Sequence, residues 1–249
     1  MFAELKMRLE GKGISFKNSS NLHGFLMETV KPEYAEYLHH LQTNPFSQCL
    51  LREGADLIWS VKTYTDEAYN EIIVPLSKIE KFTLKRGMLK IEVKDKQIKT
   101  EAIETMMQEF YQGVAERYIE IEFQTPTAFK RNGKYVFYPD LTLIFNSLMT
   151  RYNAIDANMS MQDEETLLQL CENSEIIRYK LRTLPFPMEG VNITGFQGII
   201  CIHLKGTDTM ARFARLLFRI GTYMGVGIKT GLGMGAITIN EKKGDAHDR

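Results

Sequence analysis

Cysteine is scarce in this chain: Cys49, Cys171 and Cys201 are the three present among 249 residues, and they stand far apart. A sparse, odd count argues against a disulfide framework, and no pair has the spacing of zinc ligands. A reducing, cytoplasmic setting is the expectation. Net charge is absent as well, since 31 Lys and Arg balance 31 Asp and Glu. That balance excludes an overall polycation of the histone-tail kind but leaves room for a local basic surface. No apolar run approaches 18 residues, so no membrane-spanning helix is expected. The opening Met-Phe-Ala-Glu-Leu-Lys-Met-Arg-Leu-Glu alternates polar and apolar residues and lacks the apolar centre of a secretory signal. The closing Glu-Lys-Lys-Gly-Asp-Ala-His-Asp-Arg is polar, and its His247 reads as a spectator. What is present is ordinary globular material, 44% hydrophobic and 25% charged, in a length that can bury one large core or two small ones.

Catalytic signatures are missing too. There is no His-Glu-x-x-His, no cysteine cluster and no Gly-x-Ser-x-Gly elbow. No metal site and no cofactor are therefore expected.

The pattern along the chain is mixed. Phe2 to Leu9 reads as a strand with Leu5, Met7 and Leu9 on one face. Asn18 to Asn21 can cap a helix striped with Leu22, Phe25, Leu26 and Val30, and Lys31-Pro32 ends it and opens another. The apolar side of that second helix is Tyr34, Tyr37, Leu38 and Leu41, and Asn44-Pro45 ends it. Short strands are expected from Phe46 to Trp59, with a turn at Glu53-Gly54. Two or three more are expected over 71–94, interrupted at Arg86-Gly87. A helix follows over 101–111, then a strand from Arg117 that stops at Thr125-Pro126. A polar hairpin at Lys130–Lys134, a helix from Pro139 to Asn153 and an acidic helix over 161–173 come next. The hairpin strands Ile176–Leu184 and Ile193–Leu204, a helix from Thr207 to Ile220, a glycine-rich stretch and a last strand at Ala236–Ile239 complete the order. From about residue 117 this is β, α, β, β, α, β, and the first half can be read the same way. The expected fold class is α+β, two copies of a split β-α-β unit spanning 1–115 and 116–249. Each is expected as a four-stranded antiparallel sheet with helices on one face.

Charge is segregated. Between Leu76 and Thr100 eight Lys and Arg, including Lys78, Lys85, Arg86 and Lys90, face three acids. Six glutamates follow over 101–122. Such segregation lets one face hold a polyanion on a neutral body; a solvated hairpin beside a solvated helix is the plainer reading. Arg212, Arg215 and Arg219 fall at i, i+3 and i+7 on one helical face, opposite Met210, Phe213 and Leu217. Directly after them the string Gly-Thr-Tyr-Met-Gly-Val-Gly-Ile-Lys-Thr-Gly-Leu-Gly-Met-Gly carries Gly225, Gly227, Gly231 and Gly233 around Lys229. So much glycine is entropically costly unless the backbone must approach something closely and offer N–H groups to an anion. Neither a phosphate loop nor a dinucleotide fingerprint fits, because the order of helix and strand is reversed.

Five histidines occur: His23, His39, His40, His203 and His247. His203 alternates with Cys201 in an apolar strand and reads as structural. His39 and His40 flank the buried stripe of their helix, and Glu36 stands one turn before His40. Metal-free acid–base chemistry remains open. RNA phosphodiester cleavage suits it, because the 2′-hydroxyl is a built-in nucleophile and a histidine can move the proton.

The glycine-rich string before the last strand resembles the signature of the RAMP superfamily of CRISPR-associated proteins. Leu22-His23-Gly24-Phe25-Leu26, Tyr37-Leu38-His39 followed by Asn44-Pro45-Phe46-Ser47, and Phe123-Gln124-Thr125-Pro126-Thr127-Ala128-Phe129 leading to Tyr138-Pro139 and Phe145 narrow it. Together they resemble the CRISPR repeat-RNA-processing endoribonuclease family, over nearly the whole chain. The resemblance implies two tandem ferredoxin-like (RRM-like) domains and metal-independent cutting of precursor CRISPR RNA, leaving a 2′,3′-cyclic phosphate and a 5′-hydroxyl. It assigns the general acid–base role to His39, with His23 or His40 assisting. The family's helper tyrosine has no match, and Arg52 is the nearest cation to the position of its supporting lysine. RNA-binding residues expected on this reading are Lys78, Lys85, Arg86, Lys90, Arg212, Arg215, Arg219, Lys229 and the loop glycines. Partners expected are the repeat RNA, and beside it CRISPR effector subunits or a second copy of the chain, with no membrane. A non-catalytic RAMP subunit that only grips guide RNA is the alternative, and a two-domain protein binding a small anion is a third.

Overall fold

The computed structural model describes residues 1–155, 164–188 and 190–240; His247 and the start of the expected acidic helix lie outside them. The first half runs β1 (Phe2–Glu10), α1 (Ser19–Thr29), α2 (Pro32–His40), β2 (Phe46–Glu53) and β3 (Asp56–Thr63). A helical segment follows, made of α3 (Asp66–Ala68), a π-helical turn (Tyr69–Ile73) and α4 (Val74–Ser77), then β4 (Lys81–Leu84) and β5 (Leu89–Glu101). Helix α5 (Ile103–Gln112) leads into β6 (Tyr118–Thr127), the small hairpin β7 (Phe129–Arg131) and β8 (Lys134–Val136), and α6 (Leu141–Asn153). The second half ends with α7 (Glu164–Glu172), β9 (Ser174–Met188), β10 (Val191–Leu204), α8 (Asp208–Met224) and β11 (Ile237–Asn240).

Among the described residues two large antiparallel sheets result beside the β7-β8 hairpin, with strand orders β2-β3-β1-β5-β4 and β11-β6-β10-β9. Alternation decides their faces. Leu5, Met7 and Leu9 of β1 and Trp59 and Val61 of β3 are buried with Leu22, Leu26, Tyr34 and Leu38 from α1 and α2. Glu4, Lys6 and Arg8 take the opposite side, as a period of two requires. In the second sheet Ile119, Ile121, Phe123, Ile200 and Ile202 bury against α6 and α8. The Gln48 side chain ties two elements of the first core together: it accepts from Trp59 Nε1 (2.8 Å) and donates to the Ser19 carbonyl (3.0 Å).

Three details correct the sequence expectations. The first sheet has five strands rather than four, because β4 folds back on β5 through a turn in which Gly87 and Met88 have φ of +83° and +48°. Residues 66–77, whose latter part was expected as strand, are helical. Thr65 caps them by accepting from Ala68 N (3.1 Å), Pro75 sits in the first turn of α4, and Ala68, Ile72 and Leu76 repeat every four residues into the core. The β-branched Ile-Ile-Val run hid that spacing, since burial outweighs intrinsic preference. Strand β6 also runs past Pro126 to Thr127, because its partner β10 shifts register between Phe196 and Gly198 and needs no ladder bond there.

The halves are sewn together at the end of α8. The Thr222 carbonyl accepts from Lys62 Nζ (2.7 Å) and the Tyr223 carbonyl from Ser47 Oγ (2.6 Å). Side chains of the first sheet thus satisfy two of the carbonyls that a helix terminus leaves open, with a cation at the negative end of the dipole. Among the described residues no helix is long and apolar enough to cross a membrane.

Candidate nucleic-acid interface and active site

The glycine string emerges from α8 and turns back across the first half. Gly225 ends the helix at φ +72°, Val226 N donates to the Gly235 carbonyl (2.8 Å) and Ile228 N to the Ala128 carbonyl (3.0 Å). Lys229 follows in the left-handed region, and a single 3-10 turn spans Thr230–Leu232. At Gly231 the position of an added Cβ lies 3.4 Å from the Phe46 ring and 3.5 Å from the Asn44 amide. The loop therefore lies directly on the segment that links α2 to β2.

This contact assembles the site. His23, on α1, stacks on Phe46 at a centroid distance of 6.0 Å and 12° between planes, with its Nδ1 sealed from solvent. Desolvation is the main reason its pKa falls below the ordinary histidine value; a backbone hydrogen bond with Gly231 opposes that, and the charges of His39 and Lys229 push it further down. Those causes place His39, exposed in the last turn of α2, and Lys229, exposed at the loop tip, within electrostatic reach of one ring. His40 is exposed one residue on, about 100° further around the helix. Because His23 is held neutral, folding stability should be fully present above pH 6.5 and decline as the pH falls from there through the lowered folded value. Urea midpoints between pH 7.5 and 5 should show that decline, and His23→Gln should flatten it.

The remaining expected residues fall into separate groups. Lys85 and Arg86, at the β4–β5 turn, share a groove of about 390 Å³ with His23, Glu28, Met188 and Leu232. Lys85 also pairs with Glu28 of α1 at 2.8 Å. Lys78 and Lys90 are exposed at the end of α4 and near the start of β5. Arg52 lies at the far end of β2, six residues or about 20 Å of strand from Phe46. There it lines a cleft of about 750 Å³ between the two sheets, with Lys17, Glu53, Glu122, Gln124 and Arg182. His203 stacks on Tyr118 at 4.7 Å.

The arginine stripe of α8 faces α5 and its flanking segments. Arg215 pairs with Glu116, and Arg219 with Glu101 (2.7 Å) and Glu109 (3.6 Å). Glu101 is nearly buried and also accepts from the Tyr223 hydroxyl (2.9 Å). Helical spacing identified the stripe but not its partners, which come from a segment about a hundred residues earlier. Removing Arg219 takes the cation from the nearly buried Glu101, which keeps only the Tyr223 hydroxyl bond described above, at a cost on the order of 1–3 kcal/mol. Arg219→Ala should thus lower the urea midpoint. If instead stability holds and the salt slope of RNA binding drops by about 0.7, Arg219 grips phosphate.

Sequence reasoning missed Ser147, Arg151 and Tyr64, which border the loop and the α2–β2 link, and read Asn44 only as a helix end and part of a motif. One signal was available, an arginine four residues after a serine, on one face of a helix.

Residues 121–237 match the family model described as CRISPR-associated endoribonuclease Cas6. A CRISPR-associated endoribonuclease Cas6 from Streptococcus thermophilus is 34% identical over 221 residues, 89% of this chain and 90% of that protein. The one from Mycobacterium tuberculosis is 32% identical over 222 residues, 88% of this chain and 70% of its own length. A solved Cas6 product complex superposes with a TM-score of 0.80 at 24% identity, covering 96% of this chain and 99% of that one. Two antiparallel sheets joined through a glycine loop, taken with these matches, define a member of the RAMP superfamily of CRISPR-associated proteins. Within that superfamily, the chain belongs to the Cas6 family of CRISPR-associated endoribonucleases.

Proposed function

We propose that this chain cuts precursor CRISPR RNA within its repeats, without a metal, by attack of the 2′-hydroxyl on the adjacent phosphate. The carrying observation is that the glycine loop, which bears Lys229, lies on the α2–β2 link that follows His39, where the His23 ring stacks on Phe46. Cleavage needs a proton taken from the 2′-oxygen and one given to the departing 5′-oxygen, with the phosphorane charge steadied between. His39 is exposed and free to meet RNA, so it moves the proton. His23, half-buried and neutral, assists from the side, and Lys229 supplies the charge. Breaking the P–O5′ bond as the 2′-O–P bond forms leaves a 2′,3′-cyclic phosphate and a 5′-hydroxyl.

Two domains, 1–115 and 116–249, each of the ferredoxin-like kind, fit this role. Support comes from strand order: β5-β1-β3-β2 and β11-β6-β10-β9 both run fourth, first, third, second, with β4 an addition at one edge. Repeat RNA lies along the groove holding Lys85 and Arg86 and reaches the loop. Arg52, in the separate cleft between the sheets, contacts RNA away from the scissile phosphate rather than stabilising its charge.

Incubation of the protein with labelled repeat RNA in EDTA tests this. One cut per repeat, with a cyclic phosphate on the upstream product, is the expected result. Tight binding without cutting would instead favour a subunit that only holds guide RNA, and neither would favour a small-anion site.

A further inference from the structure

Helix α6 grips the glycine loop at one residue from both sides. Gly227 has φ +81°, and a Cβ there would stand 2.4 Å from the Ala128 carbonyl, so the backbone is pressed against the β6–β7 link. Its N–H donates to Ser147 Oγ (2.9 Å), and its carbonyl accepts from Arg151 Nη2 (2.6 Å). Ser147 and Arg151 are four residues apart, so one face of α6 presents both. Lys229 lies two residues further along the same backbone.

Arg151 borders the other half of the site as well. The Tyr64 hydroxyl lies within electrostatic reach of its guanidinium, and that hydroxyl donates to the Asn44 carbonyl (2.9 Å) in the link after His39. Burial pushes the Arg151 guanidinium down to about 10, still cationic at neutral pH, and burial pushes the Tyr64 phenol up, so it keeps its proton to donate. A guanidinium enclosed this far is a costly way to fill space. What it supplies that an apolar side chain lacks is a directed donor to a chosen carbonyl.

We infer that Arg151 and Ser147 are positioning residues, which hold Gly227 between them and so set where Lys229 stands against His23 and His39. The kinetic consequence rests on the proposed RNA cleavage; the structural one does not. A displacement of about 1 Å in a positioned group can cost about 10²-fold in rate.

The test uses Ser147→Ala, Arg151→Lys and Arg151→Met in the full chain. Three readouts are single-turnover cleavage of repeat RNA at saturating protein, amide exchange at Gly227 and Ile228, and the NMR titration of the His23 ring. Arg151→Met should slow cleavage by up to about 10²-fold with RNA affinity within a few-fold, and Arg151→Lys should recover part of the loss. Ser147→Ala should speed Gly227 exchange, and in each variant the His23 midpoint should move back toward 6.5 as the loop backs away. If Arg151→Met does not fold, Ser147→Ala and Arg151→Lys carry the test alone. A native rate constant at reduced amplitude, or unchanged exchange and titration, overturns the inference and leaves the pair a purely structural role. Should the native protein cut no repeat RNA, the cleavage reading fails, while exchange and titration still decide whether α6 sets the loop.

Discussion

His39→Ala is expected to slow single-turnover cleavage of repeat RNA by about 10²–10⁴-fold, the usual worth of a positioned general acid or base. RNA affinity should stay within a few-fold. The side chain is exposed in the last turn of α2, so its loss opens no cavity and leaves no buried partner stranded. Unfolding midpoints should therefore match the native protein, which separates a chemical defect from a folding one. His40→Ala should cost far less, because His40 stands about 100° further around the helix than His39. Near-native cleavage by His39→Ala would remove it from the mechanism. An inactive His23→Ala that still bound RNA would then move the proton transfer to α1.

Lys229→Gly is expected to separate stability from activity. Lys229 holds φ +58° and ψ +32°, a left-handed conformation that costs a non-glycine residue about 1–2 kcal/mol. Glycine relieves that strain but loses more freedom on folding, by about 0.5–1 kcal/mol, so the melting temperature should stay level or rise slightly. Cleavage should nonetheless fall by about 10²–10³-fold, as when one preorganised group facing transition-state charge is removed. Strain retained at a loop tip in this way marks a position kept for what its side chain does. Lys229→Ala should lose cleavage equally without the gain in stability. Unimpaired cleavage by both variants would put the ammonium away from the reacting phosphate and undo the arrangement on which the proposed function stands.

Much of this molecule was legible before folding was considered. The period of two in β1 and β6, the break at Lys31-Pro32, and the stripe of α8 capped by Thr207 follow from local geometry that each segment carries by itself. The helical 66–77 was not legible, because Ile72, Ile73 and Val74 favour strands locally and only the burial of Ala68, Ile72, Ile73 and Leu76 in the first core overrides that. Arg212, Arg215 and Arg219 show the limit most directly. Their common face was plain from spacing, whereas Glu101, Glu109 and Glu116 were placed opposite them by the packing of α5 on α8.

The sequence by itself determined the elements, the glycines that let a backbone pass within contact distance of another, and the histidines available for proton transfer. Tertiary structure alone decided which of them meet: His23 and His39 from the first half with Lys229 from the second, and Arg52 held apart along its strand. Periodicity reports the face a residue takes within one element, a short-range property of the backbone. Proximity between positions some two hundred residues apart arises from the joint burial of two cores and the loop pressed between them, and no local pattern encodes it.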